Sequence, residues 1–229
     1  VPIHVIHHGV EPEFRPLGLK KDGPMTFLLL NTVGHFSFRK GILEGMRAFH
    51  DAFLHGEDVR LLVRSPVEPS ITMQAAALAD DRIVLQIPTA PSLSAEQMNW
   101  LYNHVHVYFS PSRGEGFGLP ALEARAAGIP VVMTAWHGSR DHFQKDMDIE
   151  IAPSKSLCRI PISEEEGGLA YDLDHDAMVA ALRQAYAEYD ARAALSMAAA
   201  PRISREWAWS RVLKPLVALL RDGTVAAGR

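Results

Sequence analysis

The sequence predicts an α/β fold, a single parallel sheet flanked by helices. Two observations carry this. Apolar runs of strand length alternate with helical periodicity, as when Met25–Asn31 is followed by the stripe Ile42, Leu43, Met46, Phe49 and Phe53. Residues 105–134, VHVYFSPSRGEGFGLPALEARAAGIPVVMT, then read as strand, loop, helix and strand, which is one parallel crossover. The 229 residues, 48% hydrophobic and 22% charged, suffice for a packed core. At about 150 residues per domain, that length fits one large domain or two small ones.

Composition also narrows the function. A net charge of −4 gives no reason to expect nucleic acid or an anionic membrane surface. The single cysteine, Cys158, excludes an internal disulfide and leaves no cysteine cluster for zinc. There is no run of about 18 apolar residues and no signal peptide, so a soluble, cytoplasmic chain is expected. A first residue of Val1 rather than Met suggests a fragment.

Taken in order, Val1 to Ile6 alternates like a short strand, and His7-His8-Gly9-Val10 turns it. His7 and His8 would then point to opposite faces, which argues against a metal site. Residues 11–24, rich in Pro, Gly and charge, read as linker. After strand 25–31 comes the loop TVGHFSFRKG and a helix reaching about Leu54. Arg39 and Lys40 stand at that helix's start, where positive charge opposes the helix dipole; a bound diphosphate would resolve the conflict. Val59–Val63 is the next strand, Met73–Ala79 a short helix and Arg82–Ile87 another strand. Loop 88–93 would then lie at a strand's carboxyl end, the usual ligand side of an open α/β sheet. Ser94 and Gln97 form a capping box for helix 95–103. His104 and His106 read as structural.

In the central crossover, Pro120 suits the first helical position and Gly128 the helix stop. Glycines 114, 116 and 118 let the backbone approach a ligand, and the N–H groups of Leu119, Ala121 and Leu122 are expected to be free for an anion. Phosphate alone needs no carboxylate, yet Glu115 lies in the loop and Glu123 in the first helical turn. A carboxylate is a natural partner for a vicinal diol, so the loop looks suited to a diphosphate between two polyhydroxyl groups. By spacing alone the pattern is also that of an ordinary strand-to-helix turn.

Beyond the crossover, His137 and His142 in AWHGSRDHF read as surface or turn residues, and Asp141 receives no role. Residues 149–166 read as a long link ending in the solvated run Glu164-Glu165-Glu166. Helices are expected at 176–189, capped by Asp174-His175-Asp176, at 191–199, and from about Ser204 to Leu220. The last needs burial for Trp207, Trp209, Val212, Leu213, Leu216 and Leu220. The three regions are thus residues 1–24, 25–203 and 204–229.

EGFGLPALEARAAGIPVV closely resembles the donor-site signature of retaining family-four (group 1) glycosyltransferases, which have a GT-B fold. Their two glutamates, with seven residues between them, match Glu115 and Glu123, with Gly116, Phe117, Gly118 and Leu119 among the seven. VIHHGVEPEFRP resembles the family's entry into its second domain, with His8 for an Asn and Glu11 for an Asp. Lys40-Gly41 matches its Lys-Gly, and Gly34 its Gly-Arg, but His35 stands where the Arg is expected. Arg39 could take over that phosphate contact, or His35 could donate a weaker bond.

The resemblance covers nearly the whole chain but only the donor half of such an enzyme, a Rossmann-like domain that is the C-terminal half of a GT-B fold. It implies a retaining, metal-independent transferase with no cofactor beyond its co-substrate, a UDP- or GDP-sugar. The nucleotide base would pack near loop 88–93. The acceptor would sit in an absent N-terminal domain, through which alone membrane association would run. Lys40 and Arg39 would neutralise the departing diphosphate, Glu115 would position the sugar, Glu123 would hold the ribose, and Gly34, His35 and residues 116–119 would complete the donor site. Alternatives are a non-catalytic nucleotide-sugar-binding module, or a GT-B phosphorylase or epimerase. A dehydrogenase fits less well, because two carboxylates bracket the glycine loop.

Overall fold

The structure, a computed structural model, describes residues 3–31, 37–65, 69–87, 93–161 and 167–221. Six strands form one sheet: β1 (Met25–Leu30), β2 (Val59–Arg64), β3 (Ile83–Gln86), β4 (Val107–Ser110), β5 (Val131–Thr134) and β6 (Ile149–Ile151). Their spatial order is β3-β2-β1-β4-β5-β6, and every neighbouring pair is parallel. The order reverses between β1 and β4. The carboxyl ends of those two strands are the usual ligand position in such sheets.

The strands are short apolar runs because both faces of the sheet are covered. Alternation sorts the side chains: Phe27 and Leu29 of β1 enter one core, Leu28 and Leu30 the other. The first core is closed by α2 (Ile42–Ala52), α3 (Pro69–Leu78) and α6 (His175–Ala187), through Phe49, Ile71 and Leu182 among others. The second is closed by α4 (Ala95–His104), α5 (Leu119–Ala126) and α7 (Tyr189–Glu206), with Tyr102, Leu122 and Ile203 inside. α1 (Ser37–Lys40) precedes α2, and α8 (Trp209–Val212) and α9 (Lys214–Arg221) follow α7.

The capping chemistry is where the sequence places it. Ser94 Oγ accepts from the Gln97 N–H at 3.3 Å while Gln97 Oε1 accepts from the Ser94 N–H at 2.9 Å. Asp174 Oδ1 accepts from the Ala177 N–H at 2.9 Å to start α6. Gly128, at φ 79°, ends α5 in the left-handed region.

Several expectations are corrected. No strand forms over Ile3–Ile6, because no neighbouring strand offers a ladder there; Val10 alone bridges to Ala208. Residues 10–17 are fastened to α4, with the Arg15 and Leu17 N–H groups donating to Asn99 and Asn103. The stretch read as a link from 149 holds β6 and then β7 (Pro153–Pro161), which pairs antiparallel with β8 (Gly167–Leu173) in a separate hairpin. The acidic run 164–166 lies outside the described residues. Pro201 does not break the chain into two helices but sits inside α7. In α9 the apolar residues are not buried: Leu216, Val217 and Leu220 are exposed. No helix among the described residues is long and apolar enough to cross a membrane.

Candidate active site

The site is assembled where α1 meets the loops after β4 and β5. Gly41, at φ 63°, turns the chain from α1 into α2, and a Cβ there would strike the Pro111 carbonyl. This corner is therefore pressed against the turn that follows β4. Arg113 locks the contact. Its N–H donates to the Arg39 carbonyl at 2.7 Å, and its guanidinium donates to the Phe38 carbonyl at 2.6 Å. The same group pairs with Glu44 and Asp172, each at 2.8 Å, and stacks 4.0 Å from the Phe38 ring centre.

Held this way, Arg39 and Lys40 face the glycine loop. Lys40 Nζ lies 2.5 Å from Glu115 Oε1, and Arg39 lies 3.5 Å from Glu115 Oε2 while donating to the Gly114 carbonyl at 2.5 Å. Lys40 is 8% exposed. Burial pushes the Glu115 carboxyl up, but the charge and hydrogen bond of Lys40, with Arg39 beside it, outweigh this and hold it below its ordinary value. The structure thus brings together the three residues expected to be catalytic. Gly34 and His35 lie outside the described residues.

Gly116, Phe117, Gly118 and Leu119 form the turn into α5. Gly118 is at φ 82°, and a Cβ there would come 2.8 Å from Ser139 Cβ, so glycine is required. Gly116 has open space around it. The loop after β5 closes on the same turn: Gly138 donates its N–H to the Glu115 carbonyl at 3.1 Å and packs against the Gly116 carbonyl. Two of the three helix-start N–H groups expected to be free are not. Those of Ala121 and Leu122 turn back onto the Gly118 carbonyl, at 3.0 and 3.4 Å. Gly118 carries the last non-helical carbonyl, and its left-handed bend aims that group along the first turn.

Glu123 stands apart from the cations. It accepts from the Tyr102 hydroxyl at 3.0 Å, and burial raises its carboxyl, against the pull of Tyr102 and with the charge of Glu11 adding to the rise. α5 starts at Leu119, one residue before the position expected from Pro120, so Glu123 lies just beyond its first turn.

Four residues that support the site are not marked as such by the sequence. Arg113 and Arg125 received no role, and His137 and His142 were read as surface or turn residues. His142 is fully buried, on a short 3-10 turn, Gly138–His142. His137 is half-buried, with Nε2 3.0 Å from Thr134 Oγ1 and Nδ1 2.9 Å from Ser139 Oγ. Burial lowers its pKa, and Glu115 is close enough to oppose that shift. Arg125, also fully buried, pairs with Asp148 at 2.6 Å. A local signal existed only for the last: an arginine amid the alanines of a helix whose other face is already apolar.

The N-terminal segment reaches this region too. His7 and His8, expected on opposite faces, both lie against the Phe117 ring, with centroids 5.8 and 5.5 Å away. The alternation rule does not apply because no strand forms. His7 Nε2 is 3.0 Å from Asp141 Oδ2. Among the described residues, no group of three or more His, Cys, Asp or Glu is placed to hold a metal ion.

Comparison with known proteins converges on this architecture. Residues 1–216 match the family model described as "Family 4 Glycosyltransferase in conflict systems". The D-inositol 3-phosphate glycosyltransferase of Corynebacterium urealyticum is 32% identical over 128 residues, which are 56% of this chain and 26% of that protein. The chain thus spans about a quarter of that relative's length. Among solved structures, sucrose-phosphate synthase from Thermosynechococcus elongatus superposes with a TM-score of 0.72 at 21% identity, covering 98% of this chain and 53% of that one. The pneumococcal O-GlcNAc transferase GtfA, solved with UDP and GlcNAc, gives 0.64 at 17% identity, covering 95% and 39%. At these identities the structural likeness shows the fold, a Rossmann-like sheet of the GT-B type. With nearly its whole length matched by the family model, the chain belongs to the family-4 glycosyltransferases of conflict systems.

Proposed function

We propose that this chain is the donor-binding half of a retaining glycosyltransferase that uses a nucleoside diphosphate sugar, UDP- or GDP-linked, without a metal ion. One observation carries the reading. Two cations from α1, the short helix that follows β1, meet one carboxylate from the loop after β4, at the point where the strand order reverses. A diphosphate entering the site would share Lys40 and Arg39 with Glu115. Their charge would then stabilise the leaving diphosphate, a contribution commonly of several kcal/mol. Glu115 would be released toward the sugar hydroxyls, and Glu123, carrying only a hydroxyl partner, toward the ribose diol. The UDP present in the pneumococcal structure supports a nucleotide donor.

Transfer itself needs an acceptor domain, which this reading places N-terminal to the chain. The exposed apolar side chains of α9 suit packing against such a domain.

Calorimetric titration with UDP, GDP and ADP, on the chain and on Lys40→Ala and Glu123→Ala, tests the assignment. One nucleotide should bind, and each substitution should weaken it by about 1–3 kcal/mol through lost charge-assisted hydrogen bonds. Absence of binding by both this chain and a longer protein carrying the acceptor domain rejects the reading.

A further inference from the structure

A chain of buried groups runs from the far side of the sheet's edge to the glycine loop. Asp148, on the segment entering β6, holds the Arg125 guanidinium at 2.6 Å, and its Oδ2 also accepts from the Gln144 N–H at 2.7 Å. Arg125 NH1 lies 2.6 Å from His142 Nδ1, and His142 Nε2 lies 2.6 Å from the Phe117 carbonyl oxygen. Asp148, Arg125 and His142 are all at or below 3% exposure. Arginine can only donate, so Nδ1 must accept; the ring's one proton is then on Nε2 and is donated to Phe117. Burial and the neighbouring Arg125 charge lower the ring's pKa to about 3, so this single tautomer persists across the neutral range.

The consequence lies on the other side of that peptide. There are no cis peptide bonds among the described residues, so the Gly118 N–H is antiparallel to the Phe117 carbonyl. With the carbonyl pinned inward, the Gly118 N–H is turned away from the buried histidine, and it meets no acceptor among the described residues. It belongs to the loop that carries Glu115, beside Lys40 and Arg39.

We propose that His142, held by Arg125 and Asp148, is a positioning residue that fixes the Phe117–Gly118 peptide so that its N–H is presented to the diphosphate of the donor. The inference rests on the donor-site reading above. It assigns a role to a histidine that touches no ligand and acts through one carbonyl.

The test exploits the two ring nitrogens. In His142→Gln the amide reaches where Nε2 stands and can still donate to Phe117. In His142→Asn the shorter amide reaches where Nδ1 stands, accepts from Arg125 and stops short of Phe117. Affinity for UDP and GDP is measured by calorimetry, thermal midpoint by calorimetric melting, and the Gly118 amide by 15N–1H correlation spectra during titration. For whichever nucleotide binds, His142→Asn should lose about tenfold in affinity, as expected for one misplaced hydrogen-bond donor. His142→Gln should recover to within about threefold of the unmodified chain, while the two variants melt alike. The Gly118 amide should shift on nucleotide addition in the unmodified chain and in His142→Gln.

Equal loss in both variants, or no loss in His142→Asn, overturns the inference and leaves the donor site standing. So does a Gly118 amide that ignores saturating nucleotide in the unmodified chain, a result that needs no variant to fold. Failure of the unmodified chain and of the longer protein to bind either nucleotide removes the donor site and this inference together.

Discussion

Lys40 and Glu115 come from positions 75 residues apart, yet they close to 2.5 Å with little solvent around either. At this scale the chemistry is set by how each ionisable group is compensated. Desolvation raises the Glu115 carboxyl but the facing Lys40 and Arg39 outweigh it and hold it below its ordinary value, whereas desolvation raises that of Glu123, whose partner is a hydroxyl. The same reasoning applies to His106, at the amino end of β4, which accepts from the Thr26 N–H at 3.0 Å. Burial, and then the nearby Lys21, lower its pKa from 6.5 to about 4. The folded protein therefore keeps this ring neutral while the unfolded chain takes up a proton below 6.5. Stability is full above pH 6.5 and falls as pH drops toward about 4. His142 adds a similar loss extending to about pH 3. Each ring removes at most about 1.4 kcal/mol per pH unit within its window. Urea midpoints between pH 7.5 and 4.5 should fall less steeply in His106→Asn, which keeps an acceptor for Thr26 but cannot titrate. An unchanged slope contradicts the assignment.

At the scale of elements, glycines decide how closely α1 and the two loops approach. Gly138→Ala puts a methyl group onto the Gly116 carbonyl, while Gly116→Ala points into open space. The first substitution should cost about 1–3 kcal/mol of folding stability and the second less than about 0.5, by denaturant titration. Equal effects would show that the loop after β5 does not pack on the glycine turn as described. Much of this level is legible in the sequence, because strand length, the Ser94–Gln97 box, the Asp174 cap and the Gly128 stop are local signals. The β7–β8 hairpin is not. Its residues mix charge and apolarity, and only the antiparallel partner makes them strands. Likewise the sequence gives no role to Arg125 and only a surface or turn position to His142, because their partners, Asp148 and the Phe117 carbonyl, are brought to them by the fold. The cations and carboxylates of the site were legible by type and position; the buried groups that hold them in place were not.

For the whole molecule, the arrangement of the sheet governs more than where a ligand can bind. β1 pairs with both β2 and β4, and between β1 and β4 the chain makes two further strands before returning. Closing so long a loop costs entropy before any contact across it compensates, so the β1–β4 junction should form late. The candidate site lies at that junction. Neither half of the sheet contains the pair of cations together with Glu115. Refolding from urea should thus restore far-ultraviolet circular dichroism first and nucleotide binding only with the slowest phase; binding that returns earlier contradicts this order. If the chain binds a nucleotide-sugar donor as proposed, a nascent or partly unfolded chain would not capture it at all. On the proposed donor-site reading, donor capture would signal that the chain has finished folding.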